Sequence, residues 1–428
     1  MTDVFTDLKW RGLIHQATDE QHLQKWLSEG CRTLYIGFDP TADSLHVGSL
    51  LQLMMLRRFQ RAGHRPIALV GGATGMIGDP SGKNDERNLL SLDALHANVL
   101  GMEQQMRSFL DFDCGKTSAA LVNNADWMRN FSYLDFLRDV GKHFPVNVMM
   151  NKDSVKSRLQ RDDGGISFTE FSYMLLQAYD FVHLSAEFDC ELQCGGSDQW
   201  GNITAGIDLA RRLRGQQLYG ITCPLLTKAD GSKMGKTESG TIWLAADRTS
   251  PYQFYQYWIN VTDEDVGKCL RVLTELSQEE IEALDCATAE RADQREAQKR
   301  LAEELTKLVH GAEGYAVATQ ATRIFFGEEI SDLSDSELLQ IFSDVPSETL
   351  ERSRIEGEGL TVIDGLIATG LVKSKGEARR AIEQGGAYVN NRRVTELAAM
   401  LTAKDLASES VIVLRRGKRN YALLRLSS

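Results

Sequence analysis

What the chain lacks narrows it first. No run approaches the ~20 consecutive apolar residues that a bilayer-spanning helix needs, so nothing in its 428 residues predicts a membrane protein. The opening Met1-Thr-Asp-Val-Phe-Thr-Asp7 lacks the basic-then-apolar order of a secretion signal. The seven cysteines are odd in number and scattered, which argues against a disulfide framework and for a reducing cytoplasm. Cys190 and Cys194 are close, but no second ligand pair stands at zinc spacing, and no metal site is expected. Neither a dinucleotide fingerprint nor a Walker loop is present. Gly82-Lys83 is followed by Asn84, and Gly231-Ser-Lys-Met-Gly-Lys-Thr237 is one residue short between its glycines.

Positive charge is also scarce, with a net charge of −12, but its distribution is uneven. Residues 360–428 hold twelve Lys/Arg against six Asp/Glu, a local +6 that leaves −18 on the rest. A basic end on an acidic body is the asymmetry of an appended polyanion-binding module.

What is present begins with Tyr35 to Ser49. Thr33 to Phe38 reads as a strand of β-branched and aromatic residues, and residues 45–62 read as a helix. The elbow between them can present a helix N-terminus to an anion. Asp43 and Ser44 are the expected N-caps, with His46 and Ser49 sharing the first helical turn. Pro66 to Gly71 is a continuous apolar strand, suited to a parallel sheet. The glycine-rich Gly71 to Pro80 follows it and lets backbone approach a ligand. Alternating strands and helices predict an α/β nucleotide-binding core over 33–240. Residues 252–325 read as helices, and Glu328 to Glu358 reads as an acidic connector with ten acids and two arginines. A compact basic α/β unit follows Leu360.

Three further stretches carry chemistry. Phe171 to Phe181 is apolar nearly all round and reads as a buried helix, with Tyr173, Gln177 and Asp180 on one face. Buried polar groups need partners, so this face suits the floor of a pocket for a small zwitterion. Cys194-Gly-Gly-Ser-Asp-Gln-Trp-Gly-Asn202 makes a strand-to-helix elbow with Asp198 and Gln199 at its tip, suited to ribose hydroxyls. Leu226 to Glu238 reads as a mobile loop carrying Lys233 and Lys236, two cations placed for charge developing on a polyphosphate.

Together these stretches resemble the class I aminoacyl-tRNA synthetases. His46-Val-Gly-Ser49 resembles that class's HIGH signature, and Lys233-Met-Gly-Lys-Thr237 its KMSKS signature. The glycine-rich loop, the 171–181 helix and the 194–202 elbow resemble the bacterial tyrosyl-tRNA synthetase family, over essentially the whole chain. The resemblance implies activation of L-tyrosine by ATP, with Mg²⁺ carried by the ATP and no prosthetic group, then transfer of tyrosine to the terminal adenosine of tRNA(Tyr). It implies a Rossmann-like catalytic domain (1–245), a helical anticodon-binding domain (246–327), an acidic linker (328–359) and a small RNA-binding domain (360–428). The last is similar to the module first named from a small-subunit ribosomal protein. A cytoplasmic homodimer is implied too, with residues 136–150 at its interface.

The family's residue roles follow by resemblance. Tyr35 and Asp180 bind the phenol hydroxyl; Asp79, Tyr173 and Gln177 hold the ammonium; Gln199 lies near the carboxylate and α-phosphate. Asp39, Gly48, Ser49 and Asp198 belong to the nucleotide site. Thr41 and His46 meet the γ-phosphate, while Lys83, Arg87, Lys233 and Lys236 clamp the departing pyrophosphate. Lys375, Arg379, Arg380, Arg392 and Arg393 form a basic face for RNA phosphates. The chain departs from the family at Ser49, where the signature has its second His, and at Gly235 and Thr237, where it has serines. Ile36 stands where the family often has a Cys. A tryptophanyl enzyme shares the core motifs and stays open as a rival. So does an RNA-binding protein that kept the fold and lost the chemistry.

Overall fold

The computed structural model describes residues 3–81, 90–160, 165–237, 240–330, 333–342, 345–356 and 359–427. The chain packs as two compact units, residues 1–248 with 261–301, and residues 249–260 with 302–428.

The first unit is built on a six-stranded sheet: β1 (Gln16–Ala17), β2 (Thr33–Phe38), β3 (Arg65–Val70), β4 (Ala120–Asn123), β5 (Cys190–Gly196) and β6 (Tyr219–Cys223). Their spatial order is β1-β6-β5-β2-β3-β4, parallel except for the antiparallel edge strand β1. The expected central strands are therefore present: β3 is buried from Pro66 to Val70, as a strand covered on both faces must be. The chain runs β2-β3-β4 in one direction and β5-β6 in the other. This leaves a crevice at the carboxyl ends of β2 and β5, where open α/β sheets receive ligands. Helix Phe168–Glu187 lies over the sheet and packs on helix Trp200–Arg214, burying Met174, Ala178, Phe181 and Leu184. Apolar residues on nearly every face account for its burial, and Ser167 caps its start by accepting the Glu170 N–H.

Helices Asp263–Leu273 and Gln278–Glu290 also belong to the first unit, although the sequence groups them with the helical segment after 246. Buried guanidinium groups tie them there. Arg11 donates to the carbonyls of Arg271, Thr274 and Leu276, and Arg58 to those of Arg271 and Thr274. Desolvation and the neighbouring Arg11 push Arg58 down to about 9.

In the second unit, helix Pro251–Ile259 accompanies a helical run to Phe325 that is broken at Gly311, where φ is 75°. A five-stranded sheet closes the chain. Its strands are β9 (Ser347–Glu351), β11 (Ala387–Val389), β12 (Arg392–Arg393), β14 (Val411–Arg416) and β15 (Asn420–Ser427), in the order β12-β11-β14-β15-β9. Between them in sequence, β10 (Leu360–Thr361) pairs with β13 (Met400–Leu401). The acidic connector expected over 328–359 is in part folded structure. Helix Asp335–Ile341 starts in a capping box of Ser334 and Glu337 and buries Leu338 and Ile341, and β9 runs parallel to β15. Glu337, Glu348 and Glu351 are exposed while Leu338 and Ile341 are buried, a pattern that mean charge conceals.

Candidate active site

A cavity of about 510 Å³ opens at the carboxyl ends of β2 and β5. Tyr35, Asp39, Thr41, His46, Gly48, Ser49, Asp79, Tyr173, Gln177, Asp180, Asp198, Gln199, Lys233 and Lys236 all line it. Segments far apart in sequence thus converge because each follows, or packs over, the end of a parallel strand.

The closed end lies under helix Phe168–Glu187. Asp180 is 2% exposed, and its carboxylate accepts from Asn124 Nδ2 at 3.0 Å and from Trp127 Nε1 at 2.8 Å. Desolvation outweighs these bonds and pushes the carboxyl up to about 7. Tyr35 is 1% exposed, and its Oη has no partner among the described residues; neither does Gln177 Oε1 nor Gln193 Oε1. Burial and the nearby Asp180 hold the Tyr35 phenol well above its ordinary range. Unmade hydrogen bonds at buried polar atoms cost about 1–3 kcal/mol each. A wall with several such atoms is prepared for a polar ligand.

Asp39 sits at the centre of a network. Its carboxylate accepts from Thr74 Oγ1 at 2.8 Å and from Tyr173 Oη at 3.0 Å, and Asn124 also donates to Thr74 Oγ1. Asp79 accepts from Gln199 Nε2 at 2.6 Å and from the Ser81 N–H, while Asn202 donates to Gln199 Oε1. Asp198 opens toward the cavity. The surrounding walls, and then the Asp79 charge, raise its carboxyl.

At the other end stand the two signatures. His46 caps helix Val47–Arg61, with Nδ1 accepting the Gly48 N–H at 2.9 Å, so the ring proton sits on Nε2. Asp43 and Ser44, the expected caps, are engaged otherwise: Asp43 pairs with Arg248, and Ser44 bonds the Leu45 carbonyl and Gln105. Residues 45 and 46 stay outside the helix because Leu45 and Val47 bond backbone to Leu244 and Ile242. Glycine at 48 leaves room for the His46 ring, since a Cβ would lie 2.7 Å from its Cε1. Ser49 lies beside His46 on the cavity wall, its N–H donating to the His46 carbonyl.

The second signature is joined to the first through backbone. Val47 N–H donates to Ile242 O, and Ile242 N–H donates to Gly235 O. Gly235 has φ of +84°, and a Cβ there would stand 2.8 Å from Val47 Cβ. A side chain there would strain both backbone and packing, so the local geometry favours glycine at this departure. Lys233 and Lys236 are exposed on the cavity rim, with β7 (Lys236–Thr237) turning back into β8 (Gly240–Thr241).

Lys83 and Arg87 lie outside the described residues. The basic residues expected to face RNA lie in the other unit. Ser374 caps helix Lys375–Glu383 as expected, and Arg379 and Arg380 are exposed on it. Lys375 pairs with Asp364 at 3.4 Å, and Arg392 with Glu329 at 3.4 Å. Arg393 lies over Gly385, at the other end of that helix. Sequence reasoning missed Thr74, Asn124, Trp127, Gln193 and Trp243. Asn123-Asn124-Ala-Asp-Trp127 ends a strand, where a polar pair followed by Trp is a readable signal. Trp243, which packs edge-on to His46 at 6.0 Å, has none.

Residues 28–327 match the family described as tRNA synthetases class I (W and Y). Residues 337–424 match the tyrosine–tRNA ligase SYY-like C-terminal domain. A tyrosine–tRNA ligase of Rhodopirellula baltica is 62% identical over 420 residues, covering 98% of this chain and 95% of that one. The chain belongs to the tyrosine–tRNA ligase family. Another member, from Roseiflexus castenholzii, is 55% identical over 426 residues and spans 100% of both chains. Among solved structures, a C-terminally truncated mitochondrial tyrosyl-tRNA synthetase of Aspergillus nidulans is 31% identical with a TM-score of 0.68. That match covers 76% of this chain and 94% of the other. The ligase family's parallel-sheet core and separate C-terminal α/β sheet are both present here.

Proposed function

We propose that the cavity binds L-tyrosine and ATP end to end, joins them, and then passes the tyrosine to the terminal adenosine of tRNA(Tyr). A carboxylate oxygen of tyrosine attacks the α-phosphorus; the bond to the bridging oxygen breaks, and pyrophosphate leaves with that electron pair. The adenosine hydroxyl then displaces AMP from the tyrosyl carbonyl. No protein nucleophile is needed, so the protein contributes positioning and electrostatics.

The observation that carries the reading is the closed end, where Tyr35 Oη stands buried without a partner near the Asp180 carboxylate. A phenol hydroxyl satisfies both, donating to Asp180 and accepting from Tyr35. Phenylalanine would leave the Tyr35 hydroxyl without a partner, at about 1–3 kcal/mol, and would give Asp180 no donor beyond Asn124 and Trp127. Tyr173, Gln177 and Asp79 receive the ammonium, and Asp39, to which Tyr173 donates, lies on the nucleotide side. Gln199 faces the reacting carboxylate and Asp198 the ribose. Ile36 offers that sugar only an apolar surface. At the open end Thr41 and His46 Nε2–H meet the γ-phosphate, with Gly48 and Ser49 beside the nucleotide. Lys233 and Lys236, with Lys83 and Arg87, receive the charge of the departing pyrophosphate.

Mg²⁺ arrives on the ATP phosphates. Among the described residues no group of three or more His, Cys, Asp or Glu side chains could hold a metal. Exposed Arg379 and Arg380, with Lys375, Arg392 and Arg393, grip the tRNA backbone. The working form is a cytoplasmic homodimer. Support for the dimer comes from the apolar side chains of Tyr133, Leu134, Val146, Val148 and Met150, which face solvent. Among the described residues no helix is long and apolar enough to cross a membrane.

Amino-acid-dependent exchange of labelled pyrophosphate into ATP tests the assignment. Tyrosine supports exchange and tryptophan does not. Exchange with tryptophan alone would make this a tryptophanyl enzyme, and none with any amino acid would reduce it to an RNA-binding protein.

A further inference from the structure

Helix Asp263–Leu273 lines no part of the cavity, yet it grips the loop of the second signature and is tied to the helix that the first signature opens. At its first turns Asp265, only 5% exposed, accepts the Ala229 N–H at 2.7 Å and the Thr262 hydroxyl at 3.0 Å. One turn on, Lys268 Nζ donates to the Thr227 carbonyl at 2.9 Å. The Cys269 thiol meets the sulfur of Met234, within the second signature, at 3.4 Å, both side chains being buried. The loop itself is a narrow hairpin. Lys228 N–H bonds Ser232 O, Met234 N–H bonds Leu226 O, and Thr227 bridges Lys233. Holding residues 227, 229 and 234 therefore fixes where Lys233 emerges. The far end of the same helix is held by Arg58 on helix Val47–Arg61, whose N-terminus carries His46. Arg57 and Arg61 of that helix clamp Glu275 just beyond it, Arg57 at 2.8 Å and Arg61 at 2.6 Å.

We propose that Asp265, Lys268 and Cys269 are positioning residues for the activation step, setting the stance of Lys233 and Lys236 relative to His46. The claim rests on the reading of those lysines as the cations that meet the leaving pyrophosphate. Buried Asp265 is the centre of the device. Its carboxylate spans a loop N–H and its own helix cap, and its charge makes the bond to that N–H stronger than a neutral one. A small misplacement of the lysines weakens interactions made only in the transition state, so it lowers turnover more than substrate binding.

The test uses the full chain in tyrosine-dependent pyrophosphate exchange, with active sites counted by adenylate burst. Asp265→Ala is expected to lower kcat per active site by about tenfold or more while KM for tyrosine stays within about twofold. Asp265→Asn, which keeps an acceptor for the Ala229 N–H, recovers most of the rate. Lys268→Met, at an exposed position, gives a smaller loss and guards against misfolding of the alanine variant. The decisive measurement is the double variant. If Asp265 acts through the lysine, Asp265→Ala adds little in a Lys236→Ala background. Full additivity, or an unchanged kcat per active site with only a lower Tm, overturns the proposal. The underlying reading fails separately, if Lys236→Ala alone leaves exchange unaffected.

Discussion

The two ends of the cavity solve opposite problems with opposite materials. The tyrosine end is closed, with Tyr35 and Asp180 almost wholly buried and polar atoms unpaired until a ligand arrives. The phosphate end is open, with Lys233 and Lys236 exposed on a hairpin and backbone brought close by glycine. Selecting a hydroxyl requires that its absence be costly, and only desolvated groups make it so. Stabilising charge that appears on a large, leaving polyphosphate requires cations that can reach it, and burial would cost them their charge. On the proposed function, specificity and rate are separated in space, and substitutions at one end are expected to leave the other's property standing.

The sharpest break of that comparison is Lys236→Ala. It is expected to slow adenylate formation by roughly 10²–10³, with tyrosine affinity within about twofold; single-turnover kinetics read both. Equal reductions in rate and affinity would merge the two ends into one.

Asp180→Asn acts the other way, lowering kcat/KM for tyrosine by roughly 10–100-fold while the ATP KM holds, as expected when a charge-assisted bond is removed. Its pH behaviour sharpens this. The carboxyl keeps its proton up to about 7 against an ordinary 3.8. Across that window the native state binds more protons than the unfolded one, so this group's contribution to stability declines as pH rises. Tyrosine binding moves oppositely, because the phenol donates to the ionised form: KM for tyrosine falls as pH climbs through about 7. Both trends flatten in Asp180→Asn, as denaturant titrations and KM profiles across pH would show.

A smaller effect is expected from Tyr35→Phe. Removing a buried hydroxyl that has no partner stabilises the ligand-free protein by about 1 kcal/mol, while discrimination against phenylalanine drops about tenfold. Thermal melts without ligand and exchange assays with both amino acids decide it. A lower Tm would show that Oη is satisfied after all.

The smallest effect lies in the second unit. Arg379→Ala with Arg380→Ala is expected to raise the tRNA KM several-fold and to reduce its salt dependence. Pyrophosphate exchange stays unchanged. Loss of exchange would tie the basic helix to the chemistry rather than to RNA.

Much of this was readable in the chain, because the strongest local signals are also the functional ones. The strand Thr33–Phe38, the all-apolar helix around Tyr173 to Asp180, and the paired lysines follow from periodicity and residue type alone. The capping box at Ser334 and Glu337 was equally readable, yet the acidic composition around it hid a folded helix and strand. Asp43 and Ser44 are good caps by type. His46 displaces them because backbone pairing with residues 242–244 pulls the helix start downstream, and no local rule captures that.

By itself the sequence determined the parallel strands, the buried helix and the family signatures, since each depends on spacing within a few residues. Tertiary structure alone decided the rest. It set Asn124 and Trp127 on Asp180, joined Asp39 to Tyr173 across the crevice, and placed Asp265 against the signature loop. The reason is physical. Those hydrogen bonds link residues about 35 to 135 positions apart; the strand order brings the cavity residues within reach, and helix packing brings Asp265 to its loop.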